Sequence, residues 1–147
     1  MRRCAGRAKG ATNMKIAVFG LGYVGMSNAV LLAQHNTVVA VDISDDRVAL
    51  VNDRKSPIVD AELERFLAER TLDLTATTDA AQALDGADYV IVATPTNYDV
   101  QTDKFNTSSV EAVIIKAAAA APNATIIVKS TIPVGFVDEV RQRLNAP

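Results

Sequence analysis

The stretch that decides the fold is Lys15-Ile16-Ala17-Val18-Phe19-Gly20-Leu21-Gly22-Tyr23-Val24-Gly25, an apolar run that leads directly into a glycine-rich turn. The turn matches the pattern GxGxxG, which is weak by itself because glycines are common in turns. Here the pattern follows a strand-like run, opens a helix-like stretch and is followed by Asp42, 22 residues after Gly20. This context predicts the opening strand, phosphate-binding turn and helix of a Rossmann domain.

Each residue of this pattern has a physical task. Gly20 permits the tight turn, Gly22 lets the backbone approach a pyrophosphate, and Gly25 lets the helix pack close to the strand. The helix N-terminus offers free N–H groups to the phosphates. Asp42 would accept hydrogen bonds from the adenosine ribose hydroxyls and would repel a 2′-phosphate, so NAD is expected rather than NADP. The competing interpretation, a glycine-rich turn with a capping aspartate, explains fewer of these features.

From Met14 onward, short β-rich runs alternate with helical stretches, which is typical of a parallel sheet with crossover helices. Right-handed crossovers predict an α/β fold of the Rossmann type, a doubly wound parallel sheet with strand order 3-2-1-4-5, truncated by one strand from the usual six. The predicted strands are Lys15–Phe19, Thr37–Val41, Leu72–Leu74, Tyr89–Ala93 and Thr125–Val128; the predicted helices are Tyr23–Gln34, Asp45–Asn52, Ala61–Glu69, Ala80–Leu84, Ser109–Ala121 and Val134–Leu144.

Three capping features support the helix boundaries. Ser108 with Glu111 predicts a capping box, and Asp79 with Gln82 predicts a similar pair. Asn36 stands where a helix can end in a left-handed residue.

Composition limits the possible functions. A chain of 147 residues with 49% apolar residues and a net charge of −2 can bury one core, and it has no basic excess for nucleic acid. Residues 1–13 carry four basic and no acidic side chains, so we expect a disordered basic extension before a domain at 14–147. A targeting peptide is a weaker interpretation, because glycines interrupt the apolar stretch that follows. Cys4 has no disulfide partner and is expected to be a bystander in a reducing compartment.

Ligands of open α/β sheets lie beyond the carboxyl ends of the strands, where the strand order reverses. This rule selects the loops 94–97 and 129–133, whose hydroxyl groups suit the nicotinamide half of a dinucleotide, although they could equally be capping and turn residues. Arg47 could approach the adenosine end or be an exposed helix residue. Lys129 could face the cofactor or be the solvated end of a strand, and His35 is more simply a helix-terminal residue than a catalytic one.

Five segments, taken together, resemble the UDP-glucose/GDP-mannose dehydrogenase family, and within it the UDP-glucose branch. They are residues 15–25, Ser56-Pro57-Ile58-Val59-Asp60, Ala93-Thr94-Pro95-Thr96-Asn97-Tyr98, Phe105-Asn106-Thr107, and residues 129–136. The family oxidises the C6 alcohol of a nucleotide sugar to a carboxylate with two NAD. For this chain the resemblance implies UDP-glucose as the substrate of the full-length enzyme, UDP-glucuronate as its product, a homodimer, and a cytoplasmic location without membrane or nucleic-acid partners.

The resemblance also implies a set of cofactor contacts, which are Gly20, Gly22, Tyr23, Val24, Gly25, Asp42, Arg47, Thr96 and Thr131. Thr131 would in addition lie near the reacting centre and help to order a water. No catalytic residue or metal ligand is assigned. The family's second oxidation uses a cysteine thioester, and its cysteine, lysine and asparagine lie beyond the positions matched here.

We therefore expect the cofactor half of a dehydrogenase, without catalytic and substrate domains and inactive alone. Two alternatives stay open. The first is the NAD-binding part of another nucleotide-sugar dehydrogenase, such as one acting on GDP-mannose, and Tyr98 with residues 105–107 weighs against it. The second is a non-catalytic NAD-binding module.

Overall fold

The computed structural model describes residues 13–146. Its strands are β1 (Lys15–Phe19), β2 (Thr37–Val41), β3 (Leu74–Thr77), β4 (Tyr89–Val92), β5 (Asn97–Asp99), β6 (Lys104–Asn106) and β7 (Thr125–Val128). Its helices are α1 (Tyr23–Leu32), α2 (Asp45–Asn52), α3 (Ala61–Glu69), α4 (Ala80–Leu84), α5 (Ser108–Ala120) and α6 (Phe136–Leu144).

Five strands form one parallel sheet in the order β3-β2-β1-β4-β7. This confirms the predicted doubly wound arrangement, with β7 as the fifth strand of the sheet. The chain moves outward from β1 to β3 and then crosses back to β4, so the direction of winding reverses between β1 and β4. Their carboxyl ends are thereby the natural position of a ligand site.

The three central strands, β1, β2 and β4, are buried on both faces because their apolar side chains alternate between two cores. Ile16 and Val18 of β1 belong to the core beneath α1, α2 and α3, whereas Ala17 and Phe19 belong to the core beneath α4, α5 and α6. The close packing of helix on sheet uses small residues, and Ala117 of α5 is completely buried. Packing thus explains Ala117 and Ala121, whereas Ala119 and Ala120 are exposed and fit the high helix propensity of alanine.

The predicted position of the third strand was wrong. The structure has it at Leu74–Thr77 rather than Leu72–Leu74. Leu74 and Ala76 are buried while Thr75 is exposed, as expected for an edge strand. The side chain of Asn52 acts as an additional partner for this strand: its Nδ2 donates to the carbonyl of Ala76 at 3.0 Å, and its Oδ1 accepts the Ala76 N–H at 2.8 Å.

Two of the three predicted caps were also wrong. Ser108 is the first residue of α5, not its cap, and its hydroxyl contacts Asn106 Oδ1 at 2.6 Å. Asn36 is not left-handed; α1 ends earlier, and Asn36 instead uses its side chain to join the end of α1 to Met14. Asp79 does cap α4, because its Oδ1 accepts the N–H groups of Ala81 and Gln82.

A short antiparallel hairpin, formed by β5 and β6, was not anticipated. Tyr98 and Phe105 face each other across it with ring centroids 5.2 Å apart in an edge-on arrangement. The Tyr98 hydroxyl donates a hydrogen bond to the carboxylate of Asp103, and this bond raises the pKa of Tyr98 above its usual 10.0. In the turn, the backbone N–H of Gln101 and the side chain of Thr102 lower the pKa of Asp99.

Across residues 13–146, no helix has the length and apolar character that a membrane crossing requires. Cys4 and the expected extension fall outside the described residues, except for Asn13. The Oδ1 of Asn13 accepts the backbone N–H of Thr37, the first residue of β2, at 2.7 Å.

Candidate functional site

A cleft of about 950 Å³ opens at the carboxyl edge of the sheet, over the reversal between β1 and β4. Its wall is formed by the turn after β1, the end of β2, the first turn of α2, the start of α4, the loop after β4, α5 as far as Lys116, and the loop after β7. A volume of this size lies at the upper end of the range for small-molecule sites, which suits an extended ligand.

The turn after β1 packs so closely against its neighbours that two of its glycines leave no room for a side chain. Gly20 has a left-handed φ of +97°, and its N–H donates to the carbonyl of Val41 at 2.8 Å. A Cβ at Gly20 would lie 2.4 Å from the carbonyl oxygen of Ala93, and one at Gly25 would lie 1.6 Å from that of Gly20. Since neither backbone oxygen can move freely, both positions exclude a side chain, as the sequence predicted for a tight turn and a closely packed helix.

Gly22 is different, because a Cβ there would meet nothing within 4 Å. It precedes α1 with a φ of −83° and provides no side-chain cap, and the first turn of α1 carries no acidic residue. The first N–H groups of a helix lack partners within the helix and carry a partial positive charge. Open space in front of these donors fits a pyrophosphate that approaches the backbone closely.

Asp42 follows β2 and is held in place by two backbone groups. Its Oδ2 accepts the N–H of Leu21 at 2.9 Å, and its Oδ1 accepts the N–H of Ser44 at 3.0 Å. Each carboxylate oxygen has a second lone pair, so the group retains capacity for ribose hydroxyls. Arg47, on α2, donates from Nη1 to the carbonyl of Leu21 at 3.2 Å. The peptide groups on both sides of Leu21 are therefore held by residues near the end of β2.

The loops after β4 and β7 form the other end of the cleft and carry Thr96 and Thr131. Thr96 is half-buried and Thr131 is exposed. A hydroxyl group connects the two loops, because Ser130 Oγ lies 2.6 Å from the Thr94 carbonyl. A second hydroxyl connects the loop after β4 to α5, because Ser109 Oγ lies 2.9 Å from the Pro95 carbonyl. Ser109 was not anticipated as part of the site. Its signal in the sequence is its position as the first residue of the predicted helix Ser109–Ala121.

The structure brings most of the predicted site together. Eight of the nine expected cofactor contacts line the cleft: Gly20, Gly22, Tyr23, Val24, Asp42, Arg47, Thr96 and Thr131. Gly25 is buried beneath the turn, against Gly20. Arg47 was expected either to approach the adenosine end of the cofactor or to be an exposed helix residue. The structure shows it on α2, exposed and also lining the cleft.

Other charged residues are distributed unevenly. Lys129 and Lys116 line the cleft, whereas His35 is exposed at the opposite end of α1. Within residues 13–146, no cluster of three or more His, Cys, Asp or Glu side chains could hold a metal ion.

This fold and cleft define a class of protein, the dinucleotide-binding domains of the Rossmann type. Residues 14–146 match the family model described as the NAD binding domain of the UDP-glucose/GDP-mannose dehydrogenase family. The chain belongs to that family, and NAD is the cofactor of its domain.

Two curated relatives and one solved structure illustrate the similarity. The chain is 50% identical over 132 residues to a UDP-glucose 6-dehydrogenase of Streptococcus pneumoniae, covering 90% of this chain and 34% of that protein. It is 37% identical over 134 residues to a UDP-glucose 6-dehydrogenase of Campylobacter jejuni, with the same two coverages. A ternary complex of GDP-mannose dehydrogenase from Pseudomonas aeruginosa superposes with a TM-score of 0.79 at 31% identity, over 89% of this chain and 31% of that one. The chain thus spans about a third of the length of the curated relatives it matches.

Proposed function

We propose that this chain is the cofactor-binding part of an NAD-dependent UDP-glucose 6-dehydrogenase. The observation that carries the proposal is the cleft itself, in which the glycine turn and Asp42 face the loops of Thr96 and Thr131. The 50% identity to the Streptococcus pneumoniae enzyme supports UDP-glucose as the sugar substrate. Bound NAD would supply the hydride acceptor for oxidation of the sugar C6 alcohol.

The residues present fit this cofactor. The free N–H groups of α1 behind Gly22 would hold the pyrophosphate, and Asp42 would accept the adenosine ribose hydroxyls. Tyr23, Val24 and Arg47 would border the adenosine and phosphate portion. Thr96 and Thr131 would contact the nicotinamide half, and Thr131 would help to order a water near the reacting centre. Gly25 would act by holding α1 close to Gly20.

Binding measurements test the cofactor part of this proposal. In isothermal titration the 147-residue chain should bind NAD in preference to NADP, because a 2′-phosphate would face the Asp42 carboxylate. Equal or tighter binding of NADP would refute it. The chain alone should not turn UDP-glucose over to UDP-glucuronate, since the family's second oxidation uses a cysteine thioester and that cysteine lies beyond the positions matched here.

The substrate part requires a longer protein that contains this chain together with the remaining two thirds of the family's length. Such a protein should form two NADH per UDP-glucose and none from GDP-mannose. If the longer protein oxidised GDP-mannose faster than UDP-glucose, the proposal would be wrong and the protein would be another nucleotide-sugar dehydrogenase. We further propose that the enzyme is a cytoplasmic homodimer; sedimentation and cell fractionation of the longer protein test these two points.

A further inference from the structure

Two serines hold the loop that precedes Thr96: Ser130, in the loop 129–133 that the sequence selected, and Ser109, which lies outside both selected loops. Ser130, after β7, lies with its Oγ 2.6 Å from the carbonyl oxygen of Thr94. Ser109, in the first turn of α5, lies with its Oγ 2.9 Å from the carbonyl oxygen of Pro95 and 3.2 Å from Thr94 Oγ1. We call the four residues Thr94, Pro95, Ser109 and Ser130 the Thr94 latch.

The chemistry of the groups fixes the direction of these hydrogen bonds. A serine hydroxyl has one hydrogen to donate, and a carbonyl oxygen can only accept. Ser109 therefore donates to Pro95, and Thr94 Oγ1 donates in turn to Ser109 Oγ. Ser130 donates to Thr94. Two consecutive carbonyls of one loop are thus held from opposite sides, by α5 and by the loop after β7.

The latch connects the parts of the chain that carry the two threonines. Pro95 is directly followed by Thr96, and Ser130 is directly followed by Thr131. The loop after β7 is further fixed by backbone donation from Lys129 and Ser130 to the Val92 carbonyl, at 2.8 Å and 3.2 Å. All four latch residues line the cleft, on the side away from the adenosine end at Asp42.

We infer that Ser109 and Ser130 are positioning residues for the nicotinamide half of the cofactor, an inference that rests on the proposed function. They hold the loops of Thr96 and Thr131 in one arrangement before the cofactor binds. The two threonines therefore need no further ordering when they contact it. A loop fixed before binding loses less entropy when the ligand arrives. Without the hydroxyl groups, the nicotinamide half would bind more weakly while the adenosine half would be unaffected.

The test compares NAD with ADP, which has the adenosine and pyrophosphate but neither the second ribose nor the nicotinamide. Isothermal titration on the 147-residue chain should show that Ser109→Ala and Ser130→Ala each weaken NAD binding by about 3–10-fold, the loss of one hydrogen bond. ADP binding should stay within about twofold of the unaltered chain, and Ser130→Thr, which keeps a hydroxyl, should recover NAD affinity.

Ser108→Ala is the matched control, because Ser108 adjoins Ser109 but its hydroxyl contacts Asn106 and not the latch. It should change the affinity for neither ligand. Equal losses of NAD and ADP affinity in Ser109→Ala and Ser130→Ala would overturn the inference, as would no loss of either.

Amide hydrogen exchange of the ligand-free chain separates this inference from the proposed function. In Ser109→Ala, exchange should accelerate at the amides of Thr94 and Thr96. In Ser130→Ala it should accelerate there and also at the amides of positions 129 and 130, which donate to the Val92 carbonyl. Unchanged exchange would overturn the latch even if NAD binds. Failure of the unaltered chain to bind NAD would refute the proposed function, whereas the exchange result would still decide whether the latch holds the loops.

Discussion

The carboxylate of Asp42 accepts the backbone N–H of Leu21 at 2.9 Å, which joins the end of β2 to the glycine turn. Asp42→Ala removes this acceptor together with the proposed acceptor of the ribose hydroxyls. Hydrogen bonds to a charged group contribute about 1.5–3 kcal/mol. NAD binding should therefore weaken by roughly 10–100-fold, measured by isothermal titration.

The same variant should reduce the preference for NAD over NADP, since the carboxylate that repels a 2′-phosphate is gone. Equal losses for both cofactors would show that Asp42 does not discriminate between them. Asp46→Ala is the control, because Asp46 is exposed on the neighbouring helix α2 and does not line the cleft.

Arg47→Ala should loosen the glycine turn, because it removes the donor to the Leu21 carbonyl. A single hydrogen bond of this kind contributes about 1 kcal/mol, so NAD affinity should fall about fivefold. Titration with NAD measures the change, with Arg65→Ala on the exposed surface of α3 as the matched loss of a positive charge. The idea fails if Arg65→Ala weakens binding equally.

Two glycine variants should separate folding from binding. Gly25→Ala places a Cβ 1.6 Å from the Gly20 carbonyl oxygen, so the free energy of unfolding should fall by about 1–3 kcal/mol or more. Gly22→Ala meets nothing within 4 Å and should lower stability by about 1 kcal/mol or less. Its methyl group nevertheless occupies the space proposed for the pyrophosphate, so NAD affinity should fall.

Urea unfolding and titration with NAD measure these two effects. A Gly22→Ala variant that binds NAD normally would place the pyrophosphate elsewhere. A Gly25→Ala variant as stable as the original chain would show that α1 can move away from β1.

The stability of the hairpin should decrease at alkaline pH because of Tyr98. Its hydrogen bond to Asp103 raises its pKa above 10.0, so the stabilisation is complete below pH 10.0 and is lost as the pH rises through the folded-state pKa. Titration of tyrosinate absorbance, with Tyr98→Phe to identify the component, should show this late ionisation. Asp103→Asn keeps a residue suited to the left-handed backbone found there and should move the pKa back towards 10.0.

The sequence predicted the sheet well where the strands are continuous apolar runs. β1, β2 and β7 have the expected bounds, because continuous apolar runs between turn residues have few alternative structures. β3 was misplaced because Thr75 and Thr77 interrupt its apolar pattern. The hairpin was missed because all six residues of β5 and β6 are exposed, and contact between Tyr98 and Phe105 stabilises it instead of a hydrophobic face.

The site was predictable to the extent that it depends on local backbone chemistry. Gly20, Gly25 and Asp42 could be assigned from their spacing, since a tight turn and a strand end constrain the residue type. The loops of Thr96 and Thr131 followed from the strand-order rule, and the choice of these two threonines within them came from the family resemblance. Ser130 lay in a selected loop, but its contact with Thr94 could not be found from the sequence, and Ser109 was missed altogether, because these partners are brought near only by the packing of α5 and β7 against β4.

The two edges of the sheet differ in how they would behave in concentrated solution. At β3, the Asn52 amide occupies a backbone N–H and C=O that another chain could otherwise pair with. Among the described residues, β7 pairs with one strand, β4, and its other edge has no neighbouring strand. Ile127 of β7 is 38% exposed. Unprotected edges recruit further strands. Self-association of the purified chain should therefore begin at β7, and this is the edge to shield when its solubility is engineered.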